Sequence, residues 1–424
     1  MNVYLESLGC RLNQSELESL AVQFAVAGCD VVADPALADV CVVNTCAVTA
    51  EAERKSRHRA RALARANPQV RVALVGCYAT LEPERCAALP GVFWVVPNLD
   101  KEQTVETVTA SSSPAPGVPL SLAHLWRVGA IPLRTRAFVK VQDGCDNHCT
   151  YCVVRLLRGP ARSRPTADVV AKVRSLVEAG CQEVVLTGVN LGSYGRDRGL
   201  PGGLRALVEV LLSHTDLPRL RLSSLEPWDL NESFFRLWEN GRLCRQLHLP
   251  LQAGCDATLR RMGRRVSTAE FARLVEVARA VVPDMAVTTD VIVGFPGEDE
   301  FAFRASYDFV AEMEFARLHV FRYSPRPGTA AVRLPDAVPR EIRDARARVV
   351  RELGARQAFR FRRRFVGGEM AVLWERRRHG RLWAGLTDNY LQVVTNSADN
   401  LHNRLTTTRL LALQDNHLVG EVVR

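Results

Sequence analysis

Between Ala137 and Arg322 the sequence runs six times through the same unit, a short apolar run followed by a helical segment. Strand-like runs lie at Ala137 to Val141, Glu183 to Thr187, Arg219 to Ser223, Gln246 to Pro250, Ala286 to Gly294 and Ala316 to Arg322. Helical periodicity fills the gaps, from Thr166 to Ala179, Leu204 to His214, Glu232 to Glu239, Ala269 to Val282 and Glu300 to Met313. Gly180 stops the first of these helices, and Ser267-Thr268-Ala269-Glu270 forms a capping box. Strands joined through helices pair in parallel, so six such units predict a partial (β/α)6 barrel whose chemistry sits at the carboxyl ends of its strands.

The loop after the first strand is Cys145-Asp146-Asn147-His148-Cys149-Thr150-Tyr151-Cys152. Its three thiols are close enough in sequence to meet at one metal centre, and no fourth cysteine follows nearby. A structural zinc takes four ligands, whereas an iron–sulfur cubane needs soft thiolates and can keep one iron open. A zinc knuckle closed by His148 is the alternative. The other strand ends carry polar or glycine-rich segments: Thr187-Gly188-Val189-Asn190, Ser223-Ser224-Leu225-Glu226, His248-Leu249-Pro250-Leu251-Gln252 and Asp290-Val291-Ile292-Val293-Gly294. Glu226 suits ribose hydroxyls or an ammonium group, or else is a buried acid paired with an arginine. Such groups at successive strand ends point to a ligand site.

From Met1 to about Leu99 the pattern is that of an open α/β sheet. Three of its runs end in cysteine: Val3 to Cys10, Asp39 to Cys46 and Val70 to Cys77. Carboxyl ends of parallel strands gather along one edge, so these thiols either form a second metal centre or are buried thiols like Cys29, Cys41, Cys86, Cys181, Cys244 and Cys255. A Ser/Pro-rich linker follows, with Ser111-Ser112-Ser113-Pro114-Ala115-Pro116-Gly117. Pro339 opens a long Arg-rich helix, and Phe365 to Arg424 alternates as the short strands of a small all-β barrel of oligonucleotide-binding size. The expected domains are therefore 1–108, a linker at 109–130, the barrel with its closing helix at 131–364, and the small barrel at 365–424.

A chain of 424 residues exceeds one compact core. Its net charge of +10 favours a polyanionic partner, although the basic residues are almost all Arg, a bias that genome composition also produces. Arg158, Arg162 and Arg164 follow the cysteine loop and suit phosphates or barrel carboxylates; Trp383 and Tyr390 either stack on bases or fill the small barrel. No apolar run has the length of a membrane span and no secretory leader opens the chain, so a cytoplasmic location is expected. Twelve cysteines in a chain of this size point to metal and packing rather than disulfides.

The cysteine loop, with an aromatic before its last thiol, resembles that of the radical S-adenosylmethionine (SAM) enzymes. With Ser7-Leu8-Gly9-Cys10-Arg11-Leu12-Asn13-Gln14, Asn44-Thr45-Cys46-Ala47-Val48-Thr49 and Val75-Gly76-Cys77, essentially the whole chain is similar to the methylthiotransferase family, and Gly9-Cys10-Arg11-Leu12-Asn13 is most like its MtaB branch. The resemblance implies two [4Fe–4S] clusters, one on Cys145, Cys149 and Cys152 that cleaves SAM, the other on Cys10, Cys46 and Cys77 that presents sulfur. It implies SAM contacts from Tyr151, Thr187, Gly188, Asn190, Ser223, Glu226, Gln252, Asp290 and Ile292, although the common Gly-Gly-Glu motif is replaced here by Thr187-Gly188-Val189-Asn190. It further implies a carboxyl-terminal TRAM domain, with Gly385-Leu386-Thr387-Asp388-Asn389-Tyr390 like its signature. The implied reaction adds a methylthio group to N6-threonylcarbamoyladenosine beside the tRNA anticodon, using two SAM per product and an electron donor such as flavodoxin or ferredoxin. Isopentenyl-adenosine tRNA and a ribosomal-protein aspartate are the alternative acceptors, and a non-enzymatic zinc and RNA-binding protein is the outsider.

Overall fold

A computed structural model describes residues 1–110 and 135–423. The Ser/Pro-rich stretch that begins at Ser111 lies outside the described residues. The first unit comprises β1 (Asn2–Ser7), α1 (Arg11–Val26), β2 (Asp30–Val32), β3 (Val40–Thr45), α2 (Ala50–Ala66), β4 (Arg71–Gly76), α3 (Cys77–Leu81) and β5 (Val92–Val96). Its strands form one parallel sheet in the order β2-β1-β3-β4-β5. The central strand β3 is buried along its whole length, which explains its uninterrupted Val-Cys-Val-Val reading. Cys10, Cys46 and Cys77 follow the carboxyl ends of the three adjacent strands β1, β3 and β4.

The second unit holds β6 (Arg136–Lys140), a two-residue hairpin β7 (Gln142–Asp143) and β8 (Arg162–Ser163), and then β9 (Glu183–Thr187), β10 (Arg219–Leu222), β11 (Gln246–His248), β12 (Ala286–Val293) and β13 (Arg317–Arg322). All six long strands are parallel, in two groups of three, β6-β9-β10 and β11-β12-β13, stitched by the bridges Leu220 to Leu243 and Ser224 to His248. Helices Thr166–Glu178, Gly203–His214, Thr268–Val281 and Glu300–Glu312 cover them, and the capping box at Ser267 is present. The expected helix at Glu232 to Glu239 is a 3-10 helix instead. The barrel does not close through a strand at β6. There Ser15 of α1 donates to Phe138 O at 2.8 Å and accepts from Lys140 N at 3.1 Å, so a helix side chain satisfies part of the exposed sheet edge.

A 24-residue helix, Arg340–Arg363, packs against β13 and leads into β14 (Glu369–His379), β15 (Leu382–Thr387), β16 (Gln392–Asn396), β17 (Leu405–Gln414) and β18 (His417–Val422). These close into a barrel in the order β14-β15-β16-β18-β17, matching the expected small all-β domain. It docks at the amino ends of the large barrel's strands: Arg219 Nη1 donates to Leu386 O at 3.0 Å, Arg221 Nη1 to Asp388 O at 2.7 Å, and Arg245 pairs with Asp388 at 2.6 Å. The cysteine loop lies at the opposite, carboxyl end.

Candidate active site: two cysteine trios at strand ends

Cys10, Cys46 and Cys77 converge. Gly9 turns with φ of +101°, a conformation that favours glycine, and a Cβ there would stand 2.7 Å from Cys46 Cβ. Burial, reinforced by the neighbouring Cys77 and Cys10, pushes the Cys46 thiol up to about 11. Cys10 caps α1 and opens onto a recess; burial raises its thiol, while the charge of Arg158 opposes that rise. Thiols crowded in this way resist ionising together unless a cation is bound, which fits a metal core. Cys77 accepts a contact from Asn98 Nδ2 at 3.4 Å, and the same amide donates to Leu157 O at 3.0 Å.

The second trio hangs from the carboxyl end of β6. Its loop is anchored by Thr150 N to Met262 O at 2.9 Å, Thr150 Oγ1 to Arg261 O at 2.8 Å and Ala331 N to Thr150 O at 2.8 Å. Cys145 Sγ accepts from Asn147 N at 3.4 Å, and Arg264 Nη1 lies 3.8 Å from Cys149 Sγ. Burial, reinforced by Cys149 and Cys145, pushes the Cys152 thiol up to about 12. Among the described residues, the group of three metal-ligating side chains with all ligand atoms within 4.8 Å is His248, Asp290 and His319.

The walls of the two trios are shared. Val153 and Leu157, from the turn and short helix after Cys152, pack in one apolar cluster with Ala47, Cys77 and Tyr78. On the other side, the segment after β13 pairs Arg326 with Glu53 of α2, and Ser324 Oγ accepts from Ala50 N at 3.2 Å. The same segment reaches Thr150 through Ala331.

The polar strand ends line the space beyond the loop. Asn190 Oδ1 and Ser223 Oγ are buried with no partner among the described residues, and Asn190 N donates to Gln142 Oε1 at 2.9 Å. Orphaned acceptors at adjacent strand ends fit a polar ligand such as the amino acid portion of SAM. Thr187 is buried, and Gly188 lets Gln142 approach to where a Cβ would be 2.9 Å away. Gln252 bridges to Val291 with φ of +75°, a strained conformation of the kind that collects at ligand sites. Tyr151 and Ile292 border one apolar cluster, where Tyr151 meets Phe295 edge-on at 6.4 Å. The half-buried Glu226 pairs with Arg264 at 2.7 Å, and Arg264 lies over the Trp228 ring at 4.4 Å. Asp290 lies between two histidines: its Oδ1 is 3.3 Å from His248 Nε2 and 3.1 Å from His319 Nδ1. Burial would raise its carboxyl, but the two imidazole contacts outweigh burial and hold it well below the usual range.

Three of the five residues expected at RNA sit elsewhere. Arg158 is only 3% exposed and is consumed by Glu16, Asp143 and Asn13, at 2.9, 2.9 and 2.7 Å, so no donor faces a phosphate. Trp383 fills the small barrel's core beside Trp374. Tyr390 receives hydrogen bonds from Arg11 at 2.7 Å and Arg136 at 3.1 Å, with Arg221 over its ring at 4.5 Å, and so rivets all three units together. Arg162 and Arg164 are exposed and line a cleft with Lys140 and Gln142. Arg264, Asn98, Arg326 and His319 escaped sequence reading, because each is defined by a partner distant in the chain.

Two family models match: an uncharacterized protein family, UPF0004, over residues 2–96, and the Radical SAM superfamily over residues 139–310. The chain is 38% identical to the threonylcarbamoyladenosine tRNA methylthiotransferase MtaB of Thermotoga maritima, over 88% of this chain and 86% of the relative. The chain belongs to the MtaB-type radical SAM methylthiotransferases. It is 32% identical to the MtaB of Bacillus subtilis, over 100% of this chain and 96% of that one. It is also 32% identical to the tRNA-2-methylthio-N(6)-dimethylallyladenosine synthase of Pelobacter propionicus, over 99% of this chain and 98% of the relative. Among solved structures, the radical SAM methyltransferase TsrM of Kitasatospora setae shares the fold, with a TM-score of 0.55 and 16% identity over 76% of this chain and 72% of that one.

Proposed function

We propose that this methylthiotransferase converts N6-threonylcarbamoyladenosine beside the tRNA anticodon to its 2-methylthio derivative. The observation that carries the reading is a pair of cysteine trios, each at the carboxyl ends of parallel strands and bordered by common walls, in a chain similar along its length to relatives of that name. Cys145, Cys149 and Cys152 would hold one [4Fe–4S] cluster and Cys10, Cys46 and Cys77 the other, with SAM beside Tyr151, Thr187, Gly188, Asn190, Ser223, Gln252 and Ile292. When bound, these groups supply one-electron chemistry able to replace an aromatic C–H, which has no acidic proton, together with the sulfur that takes its place.

The chain's own residues position and exclude. Asn190 and Ser223 offer acceptors to the cofactor, and Arg264 holds the loop of Cys149 against Glu226. The apolar group of Tyr151, Ile292 and Phe295 keeps water from the reacting centre. Arg162 and Arg164, beside the loop, suit the phosphates of an anticodon stem-loop, whose unpaired base must leave its stack to enter. The expected reductant is a small protein such as flavodoxin or ferredoxin, and the setting is the cytoplasm; no helix of the described residues is long and apolar enough to cross a membrane.

Nucleoside mass spectrometry of tRNA from a deletion strain tests the assignment. Loss of 2-methylthio-N6-threonylcarbamoyladenosine, with its parent nucleoside accumulating, is expected. Loss of the dimethylallyl derivative instead would transfer the enzyme to the other substrate.

A further inference from the structure

The inner face of the last two barrel strands carries a polar cluster that neither cysteine trio uses. Along β12, Val287, Val291 and Val293 point into the helix-covered core, so Thr288, Asp290 and Ile292 face the barrel interior. On β13, Leu318 and Val320 pack toward the same core, which turns His319 inward, directly opposite Asp290 in the strand register. His248 completes the group: its Nδ1 lies 2.9 Å from Thr288 Oγ1, its Nε2 3.3 Å from Asp290 Oδ1, and its ring centroid 5.4 Å from that of His319. Ile292, which borders the same apolar cluster as Tyr151, stands two residues from Asp290 on the same face, or about 7 Å along the strand. The cluster is therefore one step deeper in the chamber than the loop that would hold SAM.

Two atoms of this group are left over. A carboxylate only accepts, so the contact of His319 Nδ1 with Asp290 at 3.1 Å places a hydrogen on Nδ1. Among the described residues nothing meets His319 Nε2 or Asp290 Oδ2, and the His319 side chain is 41% exposed, open to an incoming group. A residue whose orientation is fixed by a second group, and whose far nitrogen has no partner among the described residues, is set up for recognition.

We infer that His319, oriented by Asp290 and His248, is the specificity-determining residue that reads the polar N6 substituent of the target adenosine. The inference rests on the threonylcarbamoyladenosine reading above. That substituent offers a urea N–H, a hydroxyl and a carboxylate, chemistry that pairs with a carboxylate oxygen and an imidazole nitrogen. A dimethylallyl group offers none of these and leaves both chamber atoms unpaired and desolvated. Sites built to hydrogen-bond a substrate reject analogues that lack the partner far more strongly than apolar pockets reject polar ones.

The test uses reconstituted full-length enzyme on two anticodon stem-loops, one with N6-threonylcarbamoyladenosine and one with N6-dimethylallyladenosine. Wild type should prefer the first. His319→Phe should lose at least about tenfold of that preference in kcat/KM, the worth of one buried hydrogen bond, mainly through a higher KM and with iron content equal to wild type. His319→Gln, which keeps a polar atom at similar reach, should recover part of the preference. An unchanged preference in His319→Phe, or an equal loss in both variants, would overturn the inference. Failure of wild type itself to act on the first stem-loop would instead overturn the proposed function.

Discussion

At the scale of single residues, arginine decides much of this molecule, and its position in the fold separates two roles that one side chain type can play. Arg158 is enclosed by Glu16, Asp143 and Asn13, and Glu16 also takes Lys101 at 2.7 Å and Lys140 at 3.1 Å. This network joins α1, the end of β6 and the helix after the cysteine loop, so it fixes one trio relative to the other. Removing one partner leaves an uncompensated buried charge, which costs about 3–5 kcal/mol. Arg158→Met is therefore expected to lower the denaturation midpoint sharply. The double substitution Arg162→Met with Arg164→Met, on exposed side chains, should leave the midpoint unchanged while weakening tRNA binding and reducing its salt slope by about two. Equal stability losses in both proteins, measured by chemical denaturation, would refute this division.

At the scale of elements, the sheet ends are where sequence and structure agree most closely. Fully buried parallel strands read as unbroken apolar runs, so β9, with Glu-Val-Val-Leu-Thr, and β3 were legible to within a residue or two. Parallel topology allowed Cys10, Cys46 and Cys77 to meet, and the strand order that makes β1, β3 and β4 neighbours is what brings them to one edge. What the sequence did not disclose is held by tertiary partners. The β7–β8 hairpin has two residues a side and no periodicity to read. Tyr390 looks like an RNA-stacking aromatic until three arginines from other units are found around it. The paired histidines of β11 and β13 are separated by 71 positions and meet only through strand register. A tight turn yields the prediction at this scale: Gly9→Ala places a Cβ against Cys46 in a conformation alanine resists. It should lose the amino-terminal cluster, about half the iron, while keeping SAM cleavage; full iron content, by colorimetric assay, would show that the turn tolerates a side chain.

At the scale of the whole molecule, three units are arranged about one strand bundle. The first sheet flanks the barrel edge through α1, the small barrel closes the amino ends of the strands, and the carboxyl ends remain for chemistry. The domain limits expected from sequence, near residues 108, 131 and 365, remain our proposal for where each unit begins. We propose that this frame holds two separate iron–sulfur centres with an accessible iron each. Iron and acid-labile sulfide, with Mössbauer spectra, measured on anaerobically reconstituted wild type, Cys10→Ala and Cys145→Ala, test it most directly. About eight iron atoms per wild-type chain and about four in either variant are expected, each variant lacking a different spectral component. Zinc in place of iron, or a Cys10→Ala protein that keeps the full complement, would contradict it.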